Sequence, residues 1–436
     1  MLGNLRFSQL LGISTLGSRL WRFQFSFLIM TLGGRCNQLA VAWWALDSTR
    51  SAAVFSTMIA CAICAEVLAK PLLGWAGDRH NKMDVVMLCN MTSLASALAL
   101  WLLSVAGWFH PVLVGLCMII GSIAVGVRDP IQSSIIPLLA DKGQIALAFR
   151  SKNMMSSIAL LIGPGLAGIL VSLWNISAAL AFDVAAATIA IGLLRWLHDA
   201  TPLPIATCIA NSPSRIAMIL SGFKIVYRVR VEFFLALLAM AVNFALYPFF
   251  SILLPLFVKT ELGLPAWYIG VLDTSFGVGI LLGSYRALGW ISNHLPRDAS
   301  IALGFALLGG NLFVTGIALP LWLLPLAFLT GGVGLMLINV HASTVRTLAT
   351  PESYRNRMAA TVAFFSSAAS PLGSIAIGVL AKGFSLAWIM NSLGALIGVL
   401  SLTVFCIPYF AHIMRMQDSQ LADVYAEIYP TAFDSR

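Results

Sequence analysis

The sequence predicts an all-α membrane protein of twelve transmembrane helices in two pseudo-symmetric six-helix bundles, and three observations lead there. Of its 436 residues, 59% are hydrophobic and only 10% are charged, against about 25% charge in a typical water-soluble domain. The apolar residues gather in runs of roughly 20, the length a helix needs to cross the hydrocarbon of a bilayer. The runs are uniformly apolar rather than alternating, which excludes a β-barrel. Lipid offers no partner to a backbone N–H, so helices that satisfy their own hydrogen bonds remain.

In chain order the runs fall at 23–46, 52–76, 85–108, 112–139, 151–173, 177–197, 233–258, 267–290, 300–319, 322–349, 358–381 and 386–408. The fourth is interrupted by Arg128, Asp129, Pro130 and Pro137. It reads either as one helix or as a helix ending near Val127 with an interfacial helix after it. Residues 2–24 carry Arg6, Ser8, Gln9, Arg19 and Arg22, so they read as an interfacial lead-in to the first span rather than as a cleavable signal. Pro202, Pro204, Asn211, Ser212 and Pro213 mark the one obvious internal boundary. The expected organisation is therefore a bundle at 1–197, a cytoplasmic linker at 198–232, a second bundle at 233–408 and a cytoplasmic tail at 409–436. Within the linker, Lys224 to Arg230 interleaves cations with Phe223, Val226 and Tyr227, the pattern of an amphipathic helix on anionic headgroups.

Cations set the orientation. Arg19, Arg22, Arg79, Lys82, Lys152, Arg195, Lys224, Arg228, Arg297, Arg355, Arg357 and Arg415 share one side with both termini, while the opposite loops hold Arg50, Lys259 and Lys382. Positive charge accumulates on the cytoplasmic side, so both termini are expected there. The same bias accounts for the net charge of +9. Scattered one loop at a time, these cations do not build a nucleic-acid surface. The seven cysteines, Cys36, Cys61, Cys64, Cys89, Cys117, Cys208 and Cys406, lie mostly inside apolar runs and read as packing residues rather than as metal ligands.

The halves repeat. Arg150 precedes Pro164 by the interval at which Arg357 precedes Pro371, and Gly74 and Gly283 end the second and eighth spans. Such repeats imply a solute site between two bundles. The sequence has no phosphate loop of the Gly-x-x-x-x-Gly-Lys-(Ser/Thr) kind and no His-Glu-x-x-His, so neither ATP-driven pumping by this chain nor an enzyme is expected, and no cofactor.

Between the second and third spans stands Gly74-Trp75-Ala76-Gly77-Asp78-Arg79-His80-Asn81-Lys82. Read as Gly-x-x-x-Asp-Arg-x-x-(Arg/Lys), it resembles the loop between helices 2 and 3 of the major facilitator superfamily. Together with Asn37-Gln38-Leu39-Ala40-Val41-Ala42 and Ile162-Gly163-Pro164-Gly165-Leu166-Ala167-Gly168, it resembles the bacterial branch of enterobactin exporters and macrolide efflux pumps. That resemblance implies a conformational latch of Gly74, Gly77, Asp78, Arg79, Lys82 and Arg357. In it Asp78 accepts from the positive N-terminal end of the eleventh helix near Arg357. Asn81 stands where the family commonly has glycine. Gly163, Pro164, Gly165 and Gly168 resemble the antiporter motif Gly-Pro-x-x-Gly-Gly, with Ala167 in place of one glycine, and point to export.

Ionisable residues inside a bilayer are costly and mark function by default. Arg35, Glu66, Lys70, Asp183 and Asp273 are the main cases, with Asn243, His341 and Arg346 as further polar contacts. Glu66 and Lys70 are spaced to pair on one helix face, or Glu66 faces Arg35 across the first two helices. Trp43, Trp44, Phe244, Tyr247 and Phe250 are candidates to line an aromatic pocket or an interfacial belt.

The expectation is thus a secondary transporter of the bacterial inner membrane, its oligomeric state open with a monomer favoured, exporting a small amphiphilic molecule such as a siderophore or drug in exchange for protons. An importer of a siderophore or metal chelate in the same fold, and a transporter-like sensor or assembly partner, are the alternatives. A fluorescent protein that matures only in the cytoplasm, fused after Arg436, is expected to fluoresce; a dark fusion with an active secreted phosphatase at the same point overturns the orientation.

Overall fold

The computed structural model describes residues 17–433 apart from 50, 74–79, 141–143, 201–214, 285–290, 292–293, 318 and 418–419. Among these residues there is no strand. The helices are α1 Ser18–Thr49, α2 Ala52–Leu73, α3 Lys82–Val105, α4 Pro111–Leu139, α5 Ile145–Leu173, α6 Ile176–Ala200 and α7 Arg215–Arg228. Next come α8 Arg230–Pro248, a π-helical turn at Phe249–Leu253, α9 Leu254–Thr260, α10 Trp267–Leu282, α11 Arg297–Thr315 and α12 Leu324–Ala349. The chain ends with α13 Arg355–Ala368, α14 Ser370–Leu380, α15 Leu386–Thr403 and the short α16 Phe410–Arg415, α17 Val424–Ile428 and α18 Pro430–Phe433.

Among the described residues, ten helical stretches are long and apolar enough to cross a membrane. Two expected spans fall outside that set for different reasons. Helix α1 is long, but Arg22, Gln24, Arg35, Asn37 and Gln38 interrupt its apolar character. Helix α10 is apolar but 16 residues long, and residues 285–290 beyond it are outside the described part.

The fourth span is one helix. Helix α4 runs through Arg128, Asp129, Pro130 and Pro137 to Leu139, so the reading in which it stops near Val127 is corrected. A proline removes one N–H bond, but unwinding in lipid would orphan several backbone groups at once, so the helix persists. Asn81, the departure from the family pattern, accepts from the Met83 backbone N–H at 2.9 Å and caps α3. Asp84 sits in the first turn of α3, where the helix dipole favours a negative charge.

The chain divides into two compact units, Met1–Cys208 with Pro255–Thr274, and Ile209–Leu254 with Ser275–Arg436. The α9 helix, its following loop and the first half of α10 therefore belong to the first unit. In that unit α1 packs on α5 and α6, α2 on α4, and α3 on α4 and α6. One apolar core joins Leu20, Met83, Val86, Ile131, Ile135 and Leu197, and another joins Val41, Trp44, Leu100, Val114 and Leu180. In the second unit α11 packs on α12 and α15, α8 on α13 and α14, and the linker helix α7 on α13. Phe223 of α7 meets Phe364 and Phe365 edge-on, with ring centres 5.7 and 5.0 Å apart.

Small residues set these distances. A Cβ built on Gly394 of α15 would lie 2.7 Å from the Gly309 carbonyl oxygen and collide with the Phe313 backbone of α11. Apolar tails solvate a helix as well as another helix does, so close backbone packing carries the association. Gly394→Leu is expected to cost about 1–3 kcal/mol and to lower the unfolding midpoint in detergent by several degrees. An unchanged midpoint would show that α11 and α15 are not held at this contact.

Candidate functional site

Helix α1 carries the centre of a polar interior in the first unit. Asp183 of α6 is buried and accepts from the Asn37 side-chain amide at 2.7 Å. Gly33, one turn earlier on α1, leaves the room this carboxylate needs, since a Cβ there would lie 2.6 Å from Asp183 Oδ1. No cation among the described residues stands within ion-pair distance of Asp183. Arg35, exposed on α1, donates to Gln38 Oε1 at 3.3 Å, and its stem passes Gly163 of α5, where a Cβ would lie 2.6 Å from Arg35 Cβ. Arg35 is also the cation whose field reaches Asp273 of α10, whose Oδ1 is buried without a hydrogen-bond partner. The structure therefore gathers Arg35, Gly163 and Asp183 around α1, with Asp273 on the helix seated against α5.

Glu66 is placed differently. Its carboxylate pairs with Lys70 at 2.9 Å on α2, and both side chains are partly exposed. Here the spacing decides, and the alternative of a Glu66–Arg35 pair is not what forms. Nearby, Gly126 of α4 touches the α2 backbone, with a built Cβ 2.5 Å from the Glu66 carbonyl oxygen.

The α5 motif has a defined neighbour. A Cβ on Gly165 would lie 3.0 Å from Thr274 Oγ1, and one on Gly270 would lie 2.8 Å from Gly165 Cα. A Cβ on Gly168 would lie 2.8 Å from the Ala266 carbonyl oxygen and 2.9 Å from Trp267 Cα. Thr274 donates to the Leu161 carbonyl at 3.0 Å, and the Trp267 backbone N–H donates to Ser172 Oγ at 3.0 Å. These glycines seat the first half of α10 directly on α5. Beyond them Lys259 reaches Asp47 at 2.7 Å and lies 4.7 Å from the centre of the Trp43 ring. With Asp47 65% exposed, this pair adds at most about 1 kcal/mol; the backbone packing is the stronger hold.

Several residues escaped the sequence reading. Arg128 of α4 is buried, donates to Asn90 Oδ1 at 3.4 Å and lies 3.5 Å from Asp129. Lys152 of α5 donates to Ser133 Oγ at 2.5 Å. The signal was present in Arg128-Asp129-Pro130, where it registered only as a break in an apolar run. Arg346, read from the sequence as a further polar contact, pairs with Glu232 at 2.7 Å, a partner 114 residues away.

In the second unit Asn243 donates to the Ala239 carbonyl and to Ser366 Oγ, both at 2.9 Å. His341 is buried, and its Nε2 lacks a hydrogen-bond partner. Of the proposed latch, Gly74, Gly77, Asp78 and Arg79 lie outside the described residues. Lys82 opens α3, and Arg357 is exposed on α13, 5.7 Å from the centre of the Tyr354 ring. Among the described residues no cluster of His, Cys, Asp and Glu is grouped to hold a metal ion.

Charge placed inside membrane-spanning helices marks positions of function, as in proteins that carry solutes or protons. The sequence profile of the Major Facilitator Superfamily matches residues 24–374, and the chain belongs to that superfamily. It is an integral membrane protein. Among similar proteins, macrolide efflux protein A of Streptococcus pyogenes is 23% identical over 285 residues, covering 64% of this chain and 68% of the relative. The staphyloferrin A transporter of Staphylococcus aureus is 25% identical over 296 residues, covering 66% and 72%. The fold matches a solved peptide transporter in complex with sulfate at TM-score 0.71 and 14% identity, over 94% of this chain and all of the other. It also matches a bacterial homologue of the iron transporter ferroportin in its inward-facing state at TM-score 0.68 and 17% identity, over 88% and 98%.

Gly168→Val places methyl groups against the Ala266 carbonyl and is expected to lift residues 266–274 off α5. In a background without the seven native cysteines, labelling of Ala266→Cys, at a position buried in this contact, by a membrane-impermeant maleimide should then rise several-fold. Unchanged labelling would show that the glycine contact does not close this face.

Proposed function

We propose that this transporter exports a small amphiphilic molecule, siderophore-like or drug-like, in exchange for protons by alternating access. The observation that carries the reading is Asp183, a carboxylate buried among helices and held by a neutral amide. It can take up and release a proton without breaking an ion pair. Buried carboxylates with ionic partners resist such exchange, because losing either state strands a charge. Asp273 is the second candidate, with Arg35 placed to answer a change in its charge. Glu66, already neutralised by Lys70, ranks behind both.

In this reading the contact of Gly165 and Gly168 with residues 266–274 is a closed gate on the non-cytoplasmic side. Protonation near α1 and α6 alters the packing of α1 on α5, and the gate loosens as the solute leaves. Export is favoured by the α5 motif and by the efflux activity named for the Streptococcus pyogenes relative. The Staphylococcus aureus relative, a transporter of staphyloferrin A, supports a siderophore as cargo and keeps import of a metal chelate as the second reading.

In inside-out vesicles energised by a pH gradient, the wild type is expected to accumulate its cargo, and Asp183→Asn to lose at least tenfold of that accumulation while retaining substrate binding. Asp273→Asn should fall by a smaller factor and Glu66→Gln by little. Uptake that ignores the gradient would overturn proton exchange. A phenotype that survives all three substitutions would favour the sensor.

A further inference from the structure

The segment after the last span does not trail from the membrane domain. It runs back across the ends of α8, α11 and α12 within the second unit and covers two acids that are each 0% exposed. Asp298, in the first turn of α11, is held by Arg415 through Nη2 at 2.8 Å and Nε at 2.9 Å. Glu232, in the first turn of α8, accepts from the Tyr425 hydroxyl at 2.8 Å on one oxygen and from Arg346 at 2.7 Å on the other.

Backbone contacts complete the path. Arg297 donates to the Met416 carbonyl at 3.3 Å, the Asp423 N–H to the Leu348 carbonyl at 3.4 Å, and the Tyr354 hydroxyl to the Phe433 carbonyl at 3.0 Å. From the linker helix α7, Arg228 donates to the Thr431 carbonyl. Among the described residues the non-glycine positions with positive φ are Tyr409 at 61° and Asp423 at 57°, immediately before α16 and α17. Side chains rarely adopt this backbone unless surrounding contacts hold it.

The first unit supplies an internal comparison. Asp84, the first-turn acid of α3, is 59% exposed and pairs with His198, whereas Asp298 at the start of α11 lies fully covered beneath the tail.

We infer that residues 410–417 and 420–433 form a cytoplasmic clasp that fixes the linker helix α7 to the ends of α8, α11 and α12, so that the linker moves as part of the second unit. The unit boundary before Ile209 agrees, because α7 falls within it. Burial, and then the charge of Glu232, push the Tyr425 phenol well above its ordinary range, so it remains an O–H donor throughout the working pH. The clasp is therefore opened by displacing the segment and not by titrating Tyr425.

Hydrogen–deuterium exchange of the full chain in lipid nanodiscs tests this without a substrate, so its outcome is separate from the direction and coupling of transport. In the Arg415→Gln, Tyr425→Phe double variant, exchange at 215–228, 230–236 and 346–356 is expected to accelerate at least tenfold, with α1–α6 unchanged. Tyr425→Phe alone should give a smaller acceleration over 215–236. Unaltered protection in the double variant overturns the clasp, and so does an acceleration that spreads equally through α1–α6. Arg415→Lys should keep most of the protection if the charge on Asp298 is what holds the segment.

Discussion

Close backbone approach at small residues is the constraint on which the rest of this structure depends. Water drives apolar surfaces together, but lipid does not, so helices that must stay paired need direct contact between their backbones. Gly309 against Gly394, Gly165 against Gly270 and Gly126 against the Glu66 carbonyl supply it. Two other glycines serve a different purpose. Gly33 and Gly163 meet side chains first, the carboxylate of Asp183 and the stem of Arg35. The space a methyl group would fill is given to an ionisable side chain, which links the packing of α1 to the placement of charge.

The two units use charge differently. In the first, Arg35, Arg128, Lys152, Asp183 and Asp273 lie along the spans themselves, where desolvation is expensive and each group needs neighbours to remain. In the second, the buried acids Glu232 and Asp298 sit in first helical turns with cations or hydroxyls supplied by other elements. Its interior is furnished instead with Asn243 and Ser366 and with the aromatic cluster of Phe249, Phe250, Phe276 and Phe328 beside the π-helical turn. Buried acids within spans accordingly belong to the first unit, while the second presents amide, imidazole and aromatic groups in its interior.

How much was legible in the sequence depends on the range of the interaction. Helix positions followed from local apolar length, and the Glu66–Lys70 pair from a spacing of four residues, so both could be read directly. Asp183 stood out because an acid in an apolar run is conspicuous wherever its partner lies. The identity of that partner, Asn37 at a separation of 146 residues, was not readable, because it depends on the face α1 turns toward α6. The same applies to Glu232, which looked like an ordinary acid at a span end until Arg346 and Tyr425 closed over it. The fourth span was misjudged at Val127 as a possible end because proline rules drawn from water penalise a lost hydrogen bond that lipid makes too costly to multiply.

The same division explains why similarity reaches the fold more readily than the cargo. Identities of 14 to 17% to solved transporters accompany TM-scores of 0.71 and 0.68, because many different apolar residues satisfy a helix surface facing lipid. Cargo is decided by a few side chains whose chemistry can change without disturbing the contacts between helices. Replacing Asn243 by another polar residue, for instance, need not move α8 from α13, since the approach of α8 to α14 is set by Gly373 against the Phe244 backbone one residue away. The side chain at 243 and the backbone contact at Gly373 are thus separable: chemistry can change at the first without touching the second.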